Sequence, residues 1–381
     1  MLPYGKQWID EDDIAAVVEV LRSDWLTTGP MVGRLEQAFA EAVGAEEAVA
    51  VSNGTAALHS AMYALDIGPG DEVIVPALTF AATANAVVFQ GATPVFADVE
   101  PDTLLLDPEC AQALVSGRTR AIIAVDYAGQ PCEYDRLRDL ADRHGLALVA
   151  DACHSLGGKY QGRPVGSLAD LSTFSFHPVK HITSGEGGAV TTDDRALAER
   201  MRRFRNHGIT CDHHQRELEG SWFYEMVDLG YNYRLTDFQC ALALSQLKKL
   251  TAWIERRQAI AQLYDRSFAA IPAVRPLHAR VDVSHAYHLY VVRLDESRMA
   301  EDRNVLFSTL RSAGIGVNVH YIPVHLHPYY HRRFGTAPGQ CPVAEKAYQE
   351  ILSLPMFPQM TDEDARTVVT AVERFVVREG A

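Results

Sequence analysis

Between residues 47 and 151, five short apolar runs alternate with segments of helical periodicity. No other feature limits the fold as much. The runs are Glu47–Val51, Glu72–Val75, Thr93–Ala97, Arg120–Asp126 and Ala147–Asp151, and helices are expected near 55–65, 80–89, 107–115 and 133–143. Strands joined by helices pair in parallel, because a parallel partner is reached only through a crossover. Runs such as Leu146–Ala150, apolar at every position, are what a strand covered on both faces looks like. The expectation is an α/β fold: a large domain with a mostly parallel sheet flanked by helices.

Two helices are predicted before this unit, over 10–23 and 32–43, separated by a turn-like break at 24–30. The first carries acids in its opening turn, where the helix dipole favours them. Beyond it come a helix at 194–205, an irregular stretch at 207–231 and one long helix from about Thr236 to Tyr264. The pattern then changes to a strand over Ala286–Leu294, a helix at 303–313, a strand over Gly316–His320 and a closing helix at 361–377. The division expected is a large domain with an N-terminal arm over 1–250 and a smaller C-terminal α+β domain over 251–381.

The formal net charge of −14 disfavours nucleic acid and anionic membranes as general partners. The first residues lack the basic and apolar regions of a signal peptide, and no apolar run reaches the ~18 residues of a membrane-span candidate. Six cysteines without CxxC spacing read as reduced thiols in a chain of 381 residues. A cytoplasmic location is expected.

Chemistry concentrates in four places. A β-prone run, Leu171–Phe176, ends in a polar glycine-rich loop that carries Lys180, and a second β-prone run follows at Ala189. A loop lysine is usually only solvated; one held near an electrophile and partly deprotonated is a nucleophile. Ser52-Asn53-Gly54-Thr55 lies where a strand turns into a helix, which is an ordinary N-cap or an anion site. Asp151 ends another strand, where open α/β sheets bind ligands, and a turn aspartate reads the same way. His154 and Cys153 beside it suggest a metal, as do His320, His325, His327 and His331, but neither set has zinc-site spacing, and no metal is expected. Ser175 closes the strand before the lysine loop. A phosphate-suited helix start (Gly54, Thr55), an acid (Asp151), a hydroxyl (Ser175) and a lysine (Lys180) follow in that order. Pyridoxal 5'-phosphate needs each of them: an amine for its aldehyde, a carboxylate for its ring nitrogen, and donors for its phosphate.

The sequence resembles the DegT/StrS-type nucleotide-sugar aminotransferases, a family of fold-type I pyridoxal phosphate enzymes. The resemblance covers nearly the whole chain and is carried by LTTGP (26–30), SNGTAAL (52–58), PALTFAATANAV (76–87), DACHSLGG (151–158), FSFHPVKHITSGEGG (174–188), GYNYRLTDFQCALALSQL (230–247) and NVHYIPVHLHPYY (318–330). It implies that Lys180 carries the cofactor as a Schiff base and is the catalytic residue. Asp151 would pair with the ring nitrogen, His154 would lie near the ring hydroxyl, and Phe80 would stack on the ring. Gly54, Thr55 and Ser175 would hold the phosphate, and Asn232 would reach it from a neighbouring subunit, implying a homodimer with shared sites. A related branch has histidine at the lysine position and dehydrates its substrate; Lys180 favours transamination.

Within that family, PYGKQWIDEDDI (3–14), HPVKHIT and WFYEMVDLGYNYRLTD are most similar to the enzyme of pseudaminic acid synthesis. That enzyme aminates C4 of a UDP-linked 4-keto-6-deoxy-L-sugar. Tyr4, Trp25, Leu26, Thr27, His320 and Tyr321 match positions that line its sugar-nucleotide site. The implied reaction takes an amino group from L-glutamate, stores it as pyridoxamine 5'-phosphate and delivers it to the 4-keto sugar. Other UDP- or dTDP-4-keto-6-deoxy sugars remain alternative substrates, and a regulatory protein that kept the fold without turnover is the alternative outside catalysis.

Overall fold

The computed structural model describes residues 1–211, 220–299 and 301–376. Nine strands form in the first part of the chain: β1 (Glu47–Val51), β2 (Glu72–Pro76), β3 (Thr93–Ala97), β4 (Thr119–Val125), β5 (Ala147–Asp151), β6 (Lys159–Tyr160), β7 (Arg163–Pro164), β8 (Leu171–Ser175) and β9 (Gly188–Thr192). Seven of them make the central sheet, in the order β1-β9-β8-β5-β4-β2-β3. Every neighbouring pair is parallel except the two that involve β9, which runs against both β1 and β8. The reason is the connection. The loop Phe176–Gly187 contains no helix, so the chain can only turn back beside the strand it has left.

Because β1, β2, β4, β5 and β8 all point one way, the residues that follow them gather on one edge of the sheet. Ser52-Asn53, Ala77–Phe80, Asp126, Asp151 and Ser175 all stand there. Helices cover both faces, and strands such as β2 and β9 are buried along their whole length.

A second apolar core holds Tyr264, Phe268, Tyr290, Val292, Leu306, Leu310, Leu352, Val368 and Val372. Its sheet has three strands, β10 (Val274–Pro276), β12 (Tyr290–Leu294) and β13 (Ile351–Leu354), all antiparallel. Between β10 and β12, β11 (Val283–Ser284) instead pairs with the β6–β7 hairpin.

Three expectations are corrected. The helix predicted from Thr236 to Tyr264 is two helices, Asp237–Leu247 and Leu250–Phe268. At the joint the Lys249 ammonium is drawn to Asp13 (2.8 Å) and Asp10 in the N-terminal helix Glu11–Leu21. The strand predicted at Ala286–Leu294 begins only at Tyr290, because Ala286 and Leu289 donate their backbone N–H groups to Gly129 and Ala128 in a turn. Gly316–His320 is extended but forms no ladder; Asn318 alone bridges Ser353, while Gly316 donates to Leu2. Among the described residues, no helix is long and apolar enough to cross a membrane.

Candidate active site

A cavity of about 720 Å³ opens at the carboxyl edge of the sheet. Its floor is built from strand ends. Asn53 caps the helix Gly54–Ala64, its Oδ1 accepting from the Ala56 N–H at 2.8 Å, so that the free N–H groups of the first turn face the cavity. Gly54 is required by its neighbour: a Cβ there would lie 2.9 Å from the Cβ of Ser175 and 3.3 Å from its Oγ. Gly188 has the same meaning on β9, where a Cβ would stand 2.6 Å from the Phe174 carbonyl oxygen and 2.8 Å from the Asn53 backbone. These close approaches bring the helix start, Thr55 and the Ser175 hydroxyl into one cradle of the size an anion needs.

Lys180 lines the same cavity from the loop after β8, its backbone N–H donating to His177 at 2.9 Å. Desolvation pulls its amine below the usual lysine range, against the opposing pull of Cys153 and Asp151. Asp151, at the end of β5, is buried; its Oδ2 accepts a 2.7 Å hydrogen bond from the Thr83 hydroxyl. His154 shares its Nε2 with the Tyr321 hydroxyl at 3.2 Å and packs against the ring of His288 at 4.3 Å. Burial, then the nearby Lys180 charge, holds His154 well below the usual imidazole range, so it stays neutral. Phe80 begins the helix Ala81–Phe89 and is 59 % exposed, leaving a free aromatic face on the cavity wall.

The rim includes Tyr4, His320 and Tyr321. The His320 ring lies 5.4 Å from that of Tyr4, its Nδ1 pairs with the Ser353 hydroxyl at 2.8 Å, and burial pulls its pKa down to about 4. The structure therefore brings together Gly54, Thr55, Phe80, Asp151, His154, Ser175, Lys180, Tyr4, His320 and Tyr321.

Four residues lie outside the cavity wall. Trp25 lines a separate hollow beside Met31 and Asp237. The carbonyl of Leu26 accepts from the Asp237 N–H, and Thr27 bridges Thr236. Asn232 is exposed, and its backbone bridges Asn206. The late histidines also have other places: His325 is buried against Glu345 at 2.9 Å, and His327 starts the helix Pro328–Phe334. Among the described residues, no group of three His, Cys, Asp or Glu side chains is arranged to hold a metal ion.

Sequence reasoning passed over Thr79, Thr83 and His288. Thr79 and Thr83 stand four apart where β2 runs into a helix, a spacing that puts two hydroxyls side by side. His288 carried no such signal, since its place depends on a turn held by a distant loop.

This structure fits pyridoxal phosphate. The cradle suits a phosphate, an aspartate and an exposed aromatic ring line the same cavity, and a desolvated lysine amine completes the set. A parallel sheet with these groups at its carboxyl edge defines a fold-type I pyridoxal phosphate enzyme, and the cofactor is pyridoxal phosphate.

The chain belongs to the DegT/DnrJ/EryC1/StrS aminotransferase family, whose profile matches residues 7–373. It is 42% identical over 377 residues to the spore coat polysaccharide biosynthesis protein SpsC of Bacillus subtilis, covering 98% of this chain and 97% of that one. Helicobacter pylori PseC, an aminotransferase involved in the biosynthesis of pseudoaminic acid, superposes with a TM-score of 0.92 at 34% identity, covering 98% of this chain and 99% of that one. A putative sugar aminotransferase of Streptococcus pneumoniae in its PMP form superposes with a TM-score of 0.93 at 33% identity over the same shares. The same pneumococcal protein has also been solved in its PLP form.

Proposed function

We propose that this aminotransferase moves the amino group of L-glutamate to C4 of a UDP-linked 4-keto-6-deoxy-N-acetyl-hexosamine, in a pathway of the pseudaminic acid type. The observation that carries the reading is the convergence of Lys180, Asp151 and the Gly54–Thr55 helix start on one cavity, with Tyr4, His320 and Tyr321 at its mouth. The likeness to PseC supports the sugar, and its residues 3–14 supply one wall through Tyr4.

When bound, pyridoxal phosphate supplies an electrophilic aldehyde and a ring that draws electrons from the reacting carbon. Lys180 does the proton work. Its lowered pKa leaves more of the amine free near neutrality, so it takes a proton from the donor Cα and later returns one to sugar C4. Asp151 would pair with the ring nitrogen. Gly54, Thr55 and Ser175 would hold the phosphate, Phe80 would stack on the ring, and His154, neutral and tied to Tyr321, would meet the ring hydroxyl. The face on which Lys180 stands sets the configuration at C4.

We further read the enzyme as a homodimer in which Asn232 completes the partner's phosphate site and Trp25, Leu26 and Thr27 meet the sugar nucleotide. Purified protein incubated with glutamate and a panel of UDP- and dTDP-4-keto-6-deoxy sugars tests the assignment. A 4-amino UDP-sugar with matching 2-oxoglutarate is expected. Turnover with dTDP sugars alone would reassign the nucleotide, and absence of an amino sugar from every substrate overturns the reading.

A further inference from the structure

The start of the helix Ala81–Phe89 carries two hydroxyls that the chemistry above leaves unused. Thr79 and Thr83 are 2 % and 0 % exposed, and their Oγ1 atoms lie 2.8 Å apart. Thr83 Oγ1 is also 2.7 Å from Asp151 Oδ2. We propose that Thr83, backed by Thr79, is a positioning residue that holds the Asp151 carboxyl group turned toward the cofactor ring. This inference rests on the reading that Asp151 meets the ring nitrogen.

Thr83 donates its one hydroxyl proton to Asp151 Oδ2, so Thr79 donates its own to Thr83, and each proton has an acceptor. The buried pair therefore holds the carboxyl group in one orientation, and losing the Thr83 hydroxyl would leave Oδ2 without this bond. The second oxygen, Oδ1, receives a long contact from the Cys153 N–H at 3.3 Å and keeps capacity to accept from a ligand. One helix start thus supplies both Phe80 for the ring face and Thr83 for the ring nitrogen's partner.

The test uses the purified holoenzyme as wild type, Thr83→Val, Thr83→Ser, Asp151→Asn and the Thr83→Val/Asp151→Asn double variant. Three quantities are read without substrate: the cofactor dissociation constant, the pH dependence of the visible absorbance, and the melting temperature. Thr83→Val is expected to raise the dissociation constant about tenfold and to shift the absorbance titration, since bonds to charged groups are among the stronger ones. Thr83→Ser, which keeps the hydroxyl, should stay within about threefold of wild type. In the Asp151→Asn background Thr83→Val should add less than about twofold, because it acts through the carboxylate. Equal effects in both backgrounds, or a change in melting temperature alone, would overturn the proposal. If Asp151→Asn itself left the absorbance titration untouched, the reading of the site would fall first. Should Thr83→Val not fold, Thr79→Val removes the donor behind it and should move the same titration in the same direction; no shift there also sinks the idea.

Discussion

The floor of the cavity and the segment Ser221–Tyr231 are opposites. At and beneath the floor, Thr83 and Asp151 are buried and hydrogen-bonded to each other, and Gly54, Asp151 and Ser175 are held at a helix start or a strand end. In the segment, Trp222 is 86 % exposed and Leu229 70 %, with Phe223, Met226 and Val227 also open to solvent. Apolar side chains gathered like this mark a surface that another molecule covers. The contrast separates two tasks. The floor is prebuilt by one chain, whereas four of the residues assigned to the sugar nucleotide or to the phosphate's outer side (Trp25, Leu26, Thr27, Asn232) stand outside the cavity that Tyr4, His320 and Tyr321 line. The proposed dimer reconciles the two.

The sharpest break in this contrast comes at Lys180. Lys180→Ala should abolish turnover, by on the order of 10⁴-fold, because it removes the general base itself. The cofactor should still bind through the cradle of Gly54, Thr55 and Ser175. Borohydride reduction of wild type followed by peptide mapping should find the cofactor on Lys180; label on Lys6 or Lys159 would discard the assignment. Asp151→Asn comes next. It keeps the shape and removes the charge, and a loss of roughly 10²- to 10³-fold in kcat is expected for an electrostatic group of this kind. Turnover of glutamate near the wild-type rate would remove Asp151 from the mechanism.

Acid should destabilise the folded chain through its buried imidazoles, on the cavity rim (His320) and behind the segment (His59, against Tyr231). Burial lowers His59 and His320 from the usual 6.5 to about 4. The unfolded chain therefore binds protons that the folded one refuses, and stability is lost as pH falls from about 6.5 toward 4. At pH 5 each of the two costs about 2 kcal/mol. Asp126 acts in the opposite sense. Buried and pushed up to about 6, it favours the folded state more at pH 5 than at neutral pH, by roughly 1.4 kcal/mol. His154, His181 and His288 are also held well below the usual range, so the histidines prevail. Urea melts at pH 5 and pH 7.5 should show the lower midpoint in acid; equal midpoints would mean that these imidazoles are solvated.

The floor was legible in the sequence, and the reason is local. β1, β3 and β5 are mainly apolar, and the polar residue that closes or follows each (Ser52, Asp98, Asp151) marks the carboxyl edge. Lys180, Asp151 and Gly54 could be read because each stands at or just past the end of an apolar run, in a polar or glycine-containing stretch that the sequence shows directly. What failed to show depended on distant partners. The place of β9 between β8 and β1 depends on its pairing with β1, to which periodicity is blind. The joint at Lys248–Lys249 has no glycine or proline; it is made by Asp10 and Asp13 from the far end of the chain. Thr83 lay inside a recognised motif, yet its role appears only when Asp151 stands 2.7 Å away.

Asn232 yields the smallest effect and the one that decides between the two regions. It sits in the loop Gly230–Arg234, beside the exposed segment and ahead of the helix Asp237–Leu247. Asn232→Asp would put a carboxylate near the phosphate and weaken cofactor binding by like-charge repulsion. Alone, this variant and Lys180→Ala should each be nearly inactive at limiting cofactor. In a symmetric dimer with shared sites, a hybrid of the two collects both defects in one site and leaves the other intact. Random assortment of equal amounts makes half of the dimers hybrid, each with one working site in two, so co-expression should recover about a quarter of wild-type activity. If Asn232 serves its own chain, every hybrid site keeps one defect and mixing recovers nothing. A Trp222→Ser change in both chains tests assembly directly. It should weaken the dimer, abolish the recovery and, by withdrawing Asn232 from each shared site, loosen cofactor binding; unchanged cofactor affinity in a monomer would count against shared sites.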